Sequence, residues 1–167
     1  MGYTNYWTWK TPLADASKFA QWSRDVQLLL DYLQTTGREL HDRIYRFGRN
    51  QSANRSFIIC GPDGEGEPLI TATEVALNGD ASHEEDHESF IIALQDLEAP
   101  LPFSSCKTAM NPYDLLVIAA LVRFAHHYPT TRLWSDGEEE AITLGVTICR
   151  NVFGDNAVPT LISPEDE

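Results

Sequence analysis

The residues best placed to bind an anion come directly before an apolar, helix-like segment of the chain. Residues 103–108 end in Lys107 and Thr108, and Tyr113 and Asp114 follow at the expected start of the helix. A lysine, a hydroxyl group and the free N–H groups of a first helical turn together attract a phosphate or carboxylate. These four residues are therefore candidate ligand-binding residues. Asp114 would oppose a bound anion unless it contacts a sugar or a base, and the alternative is that Lys107 is a surface residue and Asp114 a helix-capping group.

A second candidate for anion binding is an arginine-rich segment at residues 38–55. It holds five of the twelve basic residues and carries a charge of +3, so the rest of the chain carries −16. We expect this segment to be a long loop or hairpin inserted between a helix and a strand. A guanidinium group can bind phosphate oxygens through two hydrogen bonds. The candidate ligand-binding residues of this segment are Arg43, Arg46, Arg49 and Arg55.

The five residues from His83 to His87 match the H-E-x-x-H pattern of zinc peptidases. That chemistry needs both imidazoles on one helical face, with the glutamate placed to activate a metal-bound water. Here the motif follows the turn signal Asn78-Gly79 and runs straight into strand-like residues, which favours a solvated acidic loop. His83 and His87 remain an alternative metal site, and the leading interpretation includes no metal, no catalytic residue and no cofactor.

Aromatic residues crowd the first strand-like segment, residues 3–9. Tyr3, Tyr6, Trp7 and Trp9 could stack on a base or a sugar if they are exposed, or fill a core if they are buried. Alternation places residues 3, 5, 7 and 9 on one face, for which core packing is the stronger expectation. Trp7 is included among the candidate ligand-binding residues.

Composition limits the classes of function. A net charge of −13 argues against general binding to nucleic acid or to a membrane surface, since a polyanion would be repelled. The longest apolar run, residues 115–122, is eight residues long and far short of a membrane span. Residues 1–10 show no secretory signal, and the three widely spaced cysteines are typical of reduced thiols. We therefore expect a cytoplasmic protein.

The spacing of apolar residues predicts an α+β fold, a mostly antiparallel sheet with about three helices packed on it. Residues 1–167 are expected to form a single domain with a frayed acidic tail at 155–167. Strands are expected at residues 3–9, 56–60, 69–72, 74–77, 89–94 and 131–134. Capping and stop signals predict three helices, the first from Asp15 to Gly37, the second capped by Asn111, and the third capped by Ser135 or Asp136 and ended by Gly154.

Several short motifs spread along the chain resemble a small, poorly characterised family of phage and bacterial proteins. In that family a C-K-T-x-x-x-P-Y-D stretch precedes a buried helix, and no activity is assigned to it. If the protein is phage-encoded, as some members of that family are, it is expected to act in the host cytoplasm. The motifs are Gly2-Tyr3-Thr4 with Tyr6-Trp7, the turn-rich run at 61–68, Asn78-Gly79-Asp80, His87-Glu88-Ser89-Phe90, Cys106-Lys107-Thr108 with Pro112-Tyr113-Asp114, and Ser135-Asp136-Gly137.

Three hypotheses about function follow from these observations. The leading one is a non-enzymatic binding protein for a small phosphate-bearing ligand of the nucleotide type, which as a phage protein would sequester an immune signal of the host. The second is a metal-dependent hydrolase that uses His83 and His87. The third is an acidic interaction protein that mimics nucleic acid and inhibits a basic host protein. Direct contact with a membrane or with nucleic acid is not expected, and a homo-oligomer is left open.

Overall fold

Residues 3–13, 15–44 and 56–154 are described by a computed structural model, and in this part of the chain helices and strands form an α+β fold. The predicted fold class is confirmed. Within these residues the strands form two three-stranded antiparallel sheets, with three α-helices packed on them. The elements are β1 (Thr4–Trp9), α1 (Ala16–Ile44), β2 (Leu69–Ile70), β3 (Glu74–Leu77), β4 (Phe90–Ala93), β5 (Leu101–Lys107), α2 (Asp114–His127), β6 (Arg132–Ser135) and α3 (Glu138–Phe153).

The first sheet has the strand order β5-β1-β6, with β1 in its centre. As alternation predicts, Asn5, Trp7 and Trp9 point inward and are almost fully buried. The residues between them face outward, because successive side chains of a strand point to opposite sides of the sheet. The inner face packs towards α2, so this sheet has one buried face and one outer face.

The second sheet has the strand order β2-β3-β4 and closes the other part of the core. β3 matches the predicted strand at 74–77, and β4 lies within the predicted strand at 89–94. Its inward side chains are apolar and fully buried, as expected for a sheet covered on one face. They are Val75, Leu77, Phe90 and Ile92.

Two strand assignments differ from the sequence-based expectation. The strand expected at 56–60 is wrong, since this segment is reduced to a single bridge between Cys60 and Asn78. Its alternating residues Phe57 and Ile59 are still buried, but Phe57 packs on α1 instead of on a strand partner. In contrast, β5 was not predicted, because Pro102 and two serines interrupt the apolar alternation of this segment.

Helix α1 begins where predicted and ends later. The carboxylate of Asp15 accepts a hydrogen bond of 3.0 Å from the backbone N–H of Ser17, as an N-cap does. The predicted stop at Gly37 is wrong, and the helix continues to Ile44. Gly37 allows close packing, because a Cβ atom there would lie 2.6 Å from the Phe57 ring. Residues 38–44 of the predicted arginine-rich loop are therefore helical.

Helix α2 lies between α1 and α3 at the centre of the core, and all of residues 114–122 are buried. Its small residues let the neighbouring helices approach. The indole N–H of Trp22 on α1 donates to the carbonyl oxygen of Ala120 at 2.9 Å. On the other side, the Cys149 thiol of α3 donates to the carbonyl oxygen of Ala119 at 3.3 Å. The eight-residue apolar run is thus a central helix, as its composition predicts.

The cap predicted for α2 is wrong. Asn111 directs its amide group away from the helix and donates to the carbonyl oxygen of Asp86 at 3.1 Å. Its own carbonyl oxygen accepts the N–H of Asp114 at 2.9 Å, forming a turn before the helix. The N-cap position is occupied by Tyr113, which provides no side-chain hydrogen bond to the first turn.

The cap predicted for α3 is also displaced, to Gly137. Asp136 cannot serve this role because its carboxylate bonds to β1, to the N–H of Thr4 and the hydroxyl of Tyr6. The acidic first turn at 138–140 and the end at Gly154 are as predicted. Gly154 has a φ of 91°, a conformation that residues other than glycine rarely adopt.

Candidate functional site

The residues predicted to form an anion site at the start of α2 belong to a buried polar network. The Asp114 carboxylate, fully buried, accepts hydrogen bonds from the Asn5 amide at 2.7 Å and from the Thr108 hydroxyl at 2.6 Å. The hydroxyl of Ser135 donates to the Asn5 carbonyl oxygen at 2.8 Å. The network joins β1, β6 and the start of α2, so Thr108 and Asp114 are directed into the protein.

Tyr113 and Lys107 occupy different positions relative to the surface. The hydroxyl of Tyr113 donates to the carbonyl oxygen of Glu88 at 2.7 Å, and burial raises the pKa of this phenol. Lys107 lies opposite Thr4 in the pairing of β5 with β1, and directly opposed residues of two strands share a face. Since the neighbouring Cys106 is buried on the inner face, Lys107 belongs to the outer face.

Two other predicted ligand-binding residues, Trp7 and Arg43, do not join this group. Trp7 is 2% exposed and contacts the ring of Phe90 edge-on at 5.4 Å, so it fills the core. Arg43 is exposed near the end of α1 and pairs with Glu39 one turn earlier at 3.0 Å. The remaining three arginines, Arg46, Arg49 and Arg55, lie outside the described residues.

The H-E-x-x-H motif has no helix beneath it. Ala81–His83 forms one 3-10 turn, and Glu84 follows with a φ of 56°. The His83 ring bonds to Asp80 at 2.5 Å, and the hydroxyl of Ser82 and this histidine hold the pKa of Asp80 below its ordinary value. The two imidazoles therefore do not share a helical face. In the described part of the chain, no three histidines, cysteines or carboxylates come together as a metal site would require.

A groove of about 460 Å³ opens on the outer face of the first sheet, where β1 ends and β5 begins. The segment before β5 forms one wall and is tied to β1 by the Trp9 indole N–H, which donates to the carbonyl oxygen of Ala99 at 2.9 Å. A register shift between Trp7 and Trp9 bends the sheet at this point. The groove is lined by Thr8, Trp9, Lys10, Pro100, Leu101, Pro102, Arg132 and Trp134.

Three aromatic rings stand side by side across the outer face next to this groove. The Tyr6 ring on β1 stacks on the Trp134 ring of β6, with centroids 5.3 Å apart and an interplanar angle of 8°. On the other side, Tyr6 meets the Phe103 ring of β5 at 5.8 Å. Phe103 is 59% exposed, the largest value among the exposed large apolar side chains of the described residues. The sheet thus presents an aromatic surface outward.

Basic residues flank the aromatic rings. Lys10 and Arg132 line the groove, and Lys107 lies at the other end of the same face. They are three of the twelve basic residues of a chain with a net charge of −13. At the end with Lys107, the Asp136 carboxylate accepts hydrogen bonds of 3.1 Å from both Thr4 and Tyr6. The outer face therefore combines cations and aromatic rings with the Asp136 carboxylate, and beside it the Glu88 carboxylate accepts the backbone N–H of Lys107 at 2.7 Å.

Of the residues on this outer face, the sequence analysis named Lys107 as a candidate but did not name Lys10, Phe103, Arg132 and Trp134. The signal for two of them was available, because residues 132 and 134 alternate with buried neighbours in β6. Phe103 could not be assigned without β5. Nothing in the sequence pairs β1 with β5 and β6, which are about 100 and 130 residues away along the chain.

A second polar cluster joins α1 to α2. The Asp25 carboxylate accepts hydrogen bonds from Arg123 and from the ring of His127, both at 2.7 Å. Burial acts to raise the pKa of Asp25, but the hydrogen bonds from His127 and Arg123 outweigh it, and the pKa lies below its ordinary value. The Arg123 guanidinium also lies 3.9 Å above the Phe153 ring of α3. This cluster connects three helices.

Two further findings do not concern the groove. Among the helices that the structure describes, none combines the length and the apolar character that a bilayer span needs. The resemblance of the short motifs to phage and bacterial proteins stays an expectation, for no protein-family model, curated protein or solved structure matches this chain.

Proposed function

We propose that this protein binds, without altering it, a small ligand that carries both a phosphate group and an aromatic ring, as a nucleotide does. The observation that carries the proposal is the groove on the first sheet, where Lys10 and Arg132 line the same cavity as Trp134. Its volume of about 460 Å³ falls in the range of small-molecule sites. The ligand's phosphate lies at the two cations and its ring lies against the aromatic surface.

The two parts of the ligand are held by different forces. A phosphate near Arg132 and Lys10 gains charge-assisted hydrogen bonds, and an arginine can supply two of them at once. A base that stacks on an aromatic side chain gains about 1–3 kcal/mol. Because one face of Trp134 is covered by Tyr6, the ring meets the ligand with its other face or its edge.

This proposal places the phosphate in the groove rather than at the start of α2. The buried Asp114 carboxylate accepts hydrogen bonds from Thr108 and from Asn5 inside the protein, and a phosphate there would meet this carboxylate. Lys107 remains part of the binding face. If the resemblance to phage proteins holds, a ligand held without chemical change would be a host signal removed from circulation.

The test is calorimetric titration of the protein with linear and cyclic nucleotides, the matching nucleosides and inorganic phosphate. We expect at least one nucleotide to bind with a dissociation constant below about 1 mM, which corresponds to about 4 kcal/mol. Arg132→Ala should weaken binding about ten- to a hundredfold, the effect of losing hydrogen bonds to a charged group. Trp134→Ala should weaken nucleotide binding but leave inorganic phosphate unaffected.

A matched control is Arg150→Ala, which removes the same charge from the exposed end of α3. Its affinity should equal that of the unmodified protein. Binding should also weaken as salt is added, since exposed charges are screened over about 8 Å at physiological ionic strength. The proposal fails if no nucleotide binds, or if Arg132→Ala and Arg150→Ala bind equally well.

A further inference from the structure

The outer face of the first sheet continues past the groove to a carboxylate. Arg132, Trp134 and Asp136 occupy alternate positions on β6 and its extension, where the N–H of Asp136 donates to the carbonyl oxygen of Thr4 at 3.0 Å. At about 3.3 Å per residue, Arg132 and Asp136 are about 13 Å apart along the strand. A cation, an aromatic ring and a carboxylate therefore follow one another in a line.

The Asp136 carboxylate is held at the edge of the aromatic stack. One of its oxygens accepts the N–H of Thr4 and the other accepts the hydroxyl of Tyr6, each at 3.1 Å. The Tyr6 ring is the one that stacks on Trp134. Because an ionised carboxylate offers about four acceptor sites, each oxygen can accept one more hydrogen bond. Two adjacent acceptor sites thus remain beside the rings.

Lys107 stands on the same row of the sheet as this carboxylate. It lies directly opposite Thr4 on β1, and Thr4 in turn neighbours Asp136. Adjacent strands are about 4.8 Å apart, so the backbones at Lys107 and Asp136 are separated by about 10 Å. A flat ring placed between the two side chains would meet a donor on one side and a pair of acceptors on the other.

We propose that the base this face selects is guanine, an inference that rests on the proposed nucleotide binding. Guanine presents a carbonyl oxygen followed by two N–H donors along one edge, which complements Lys107 followed by the Asp136 carboxylate. Adenine presents an amino group and a ring nitrogen lone pair at the same positions, so it places a donor against the lysine and a lone pair against the carboxylate. The phosphate lies at Arg132 and Lys10, at the other end of the line.

The experiment compares GDP with ADP, which share the ribose and the phosphates, by calorimetric titration of the unmodified protein and of Asp136→Asn. We expect GDP to bind at least about tenfold more tightly than ADP, within the range of discrimination that one bidentate base contact provides. Asp136→Asn should bring the two affinities to within about twofold, mainly by weakening GDP. Glu139→Gln, an exposed change of the same charge in the first turn of α3, should preserve the difference.

A second variant is needed as a control, because Asp136→Asn also alters the hydrogen bond that Tyr6 donates to Asp136. Lys107→Ala leaves the contact between Asp136 and Tyr6 in place and should also reduce the preference for GDP.

If GDP and ADP bind the unmodified protein equally while Arg132→Ala still weakens the binding of both, guanine selection is wrong and the nucleotide site stands. If neither binds, guanine selection is wrong, and the proposed nucleotide site then stands or fails with the other linear and cyclic nucleotides of the panel. If 2′-deoxy-GDP loses the affinity that Asp136→Asn loses, and ADP matches GDP, the carboxylate holds the ribose and guanine selection is overturned.

Discussion

Asp114 shows how a residue that looks suited to a ligand can serve the protein interior. Its carboxylate is fully buried, and the hydrogen bonds from Asn5 and Thr108 offset the cost of removing the charge from water. Each of these hydrogen bonds joins β1 or the end of β5 to the first turn of α2. The residues therefore fix the position of the first sheet against the central helix, and the outer face of that sheet depends on them indirectly.

Replacing Thr108 with valine should test this role, because the change keeps the shape and removes the hydroxyl. We expect the free energy of unfolding to fall by about 1.5–3 kcal/mol, the range for a hydrogen bond to a charged group. The measurement is urea denaturation followed by tryptophan fluorescence. Thr35→Val, at an exposed position of α1, is the matched control and should change stability by less than about 0.5 kcal/mol. Equal stability of the two variants would contradict the role of the Thr108 hydroxyl.

Individual residues on the outer face of the first sheet were only partly predictable. The alternation of β1 correctly separates the buried Trp7 and Trp9 from the outward Tyr6. The sequence gives no indication that Tyr6 stacks on Trp134, since that contact depends on the pairing of β1 with β6. Likewise the sequence suggests that Thr108 and Asp114, at a helix start, are accessible to a ligand. In the folded protein Asn5 donates a hydrogen bond to the Asp114 carboxylate instead. Long-range pairing decides both cases.

At the scale of elements, local signals locate the helices and several strands but misplace their ends. A glycine at position 37 predicts the end of the helix, but α1 continues to Ile44. The glycine is accounted for by packing, because a Cβ atom there would clash with the Phe57 ring. Strand β5 was not predicted, because Pro102 and its polar neighbours suggest a loop. The observed N-caps of α2 and α3 differ from the predicted ones. The predicted capping residues take part in a turn or in a hydrogen bond to another strand, and the local spacing of residues does not indicate either contact.

The junction of α1 and α2 should depend on pH through Asp25. Its pKa is lowered in the folded protein, so its contribution to stability is present above the unfolded value of about 3.9 and is lost as the pH falls through the folded pKa. Asp25→Asn should lower the free energy of unfolding by about 1–3 kcal/mol at pH 7, since it removes the charge that Arg123 and His127 contact.

The measurement is urea denaturation of both proteins from pH 7 to pH 3. The difference between them should shrink below pH 4, because protonation removes the same charge from the unmodified protein. Asp31→Asn, on the exposed side of α1, is the control and should leave stability nearly unchanged at every pH. A difference that stays constant down to pH 3 would mean that the Asp25 charge does not stabilise the junction.

For the whole molecule, the excess of negative charge makes the basic groove informative. The groove has two cations in its wall although the chain carries −13 overall, and the aromatic rings beside it are partly exposed. A surface of this composition is suited to a small anion with a ring, and the surrounding negative charge repels larger polyanions. We therefore propose the outer face of the first sheet as the ligand-binding surface and infer that the start of α2 is a structural junction.

Backbone amide NMR during a titration with GDP tests most directly whether the ligand binds on the outer face of the first sheet. We expect the chemical shifts to change progressively in and beside the strands of the first sheet, at residues 4–10, 101–107 and 132–136. All of these changes should follow one saturating binding curve. Amides of the exposed side of α1 should stay unchanged and serve as the internal control. Shifts confined to residues 108–114, or an unchanged spectrum at millimolar GDP, would contradict the account.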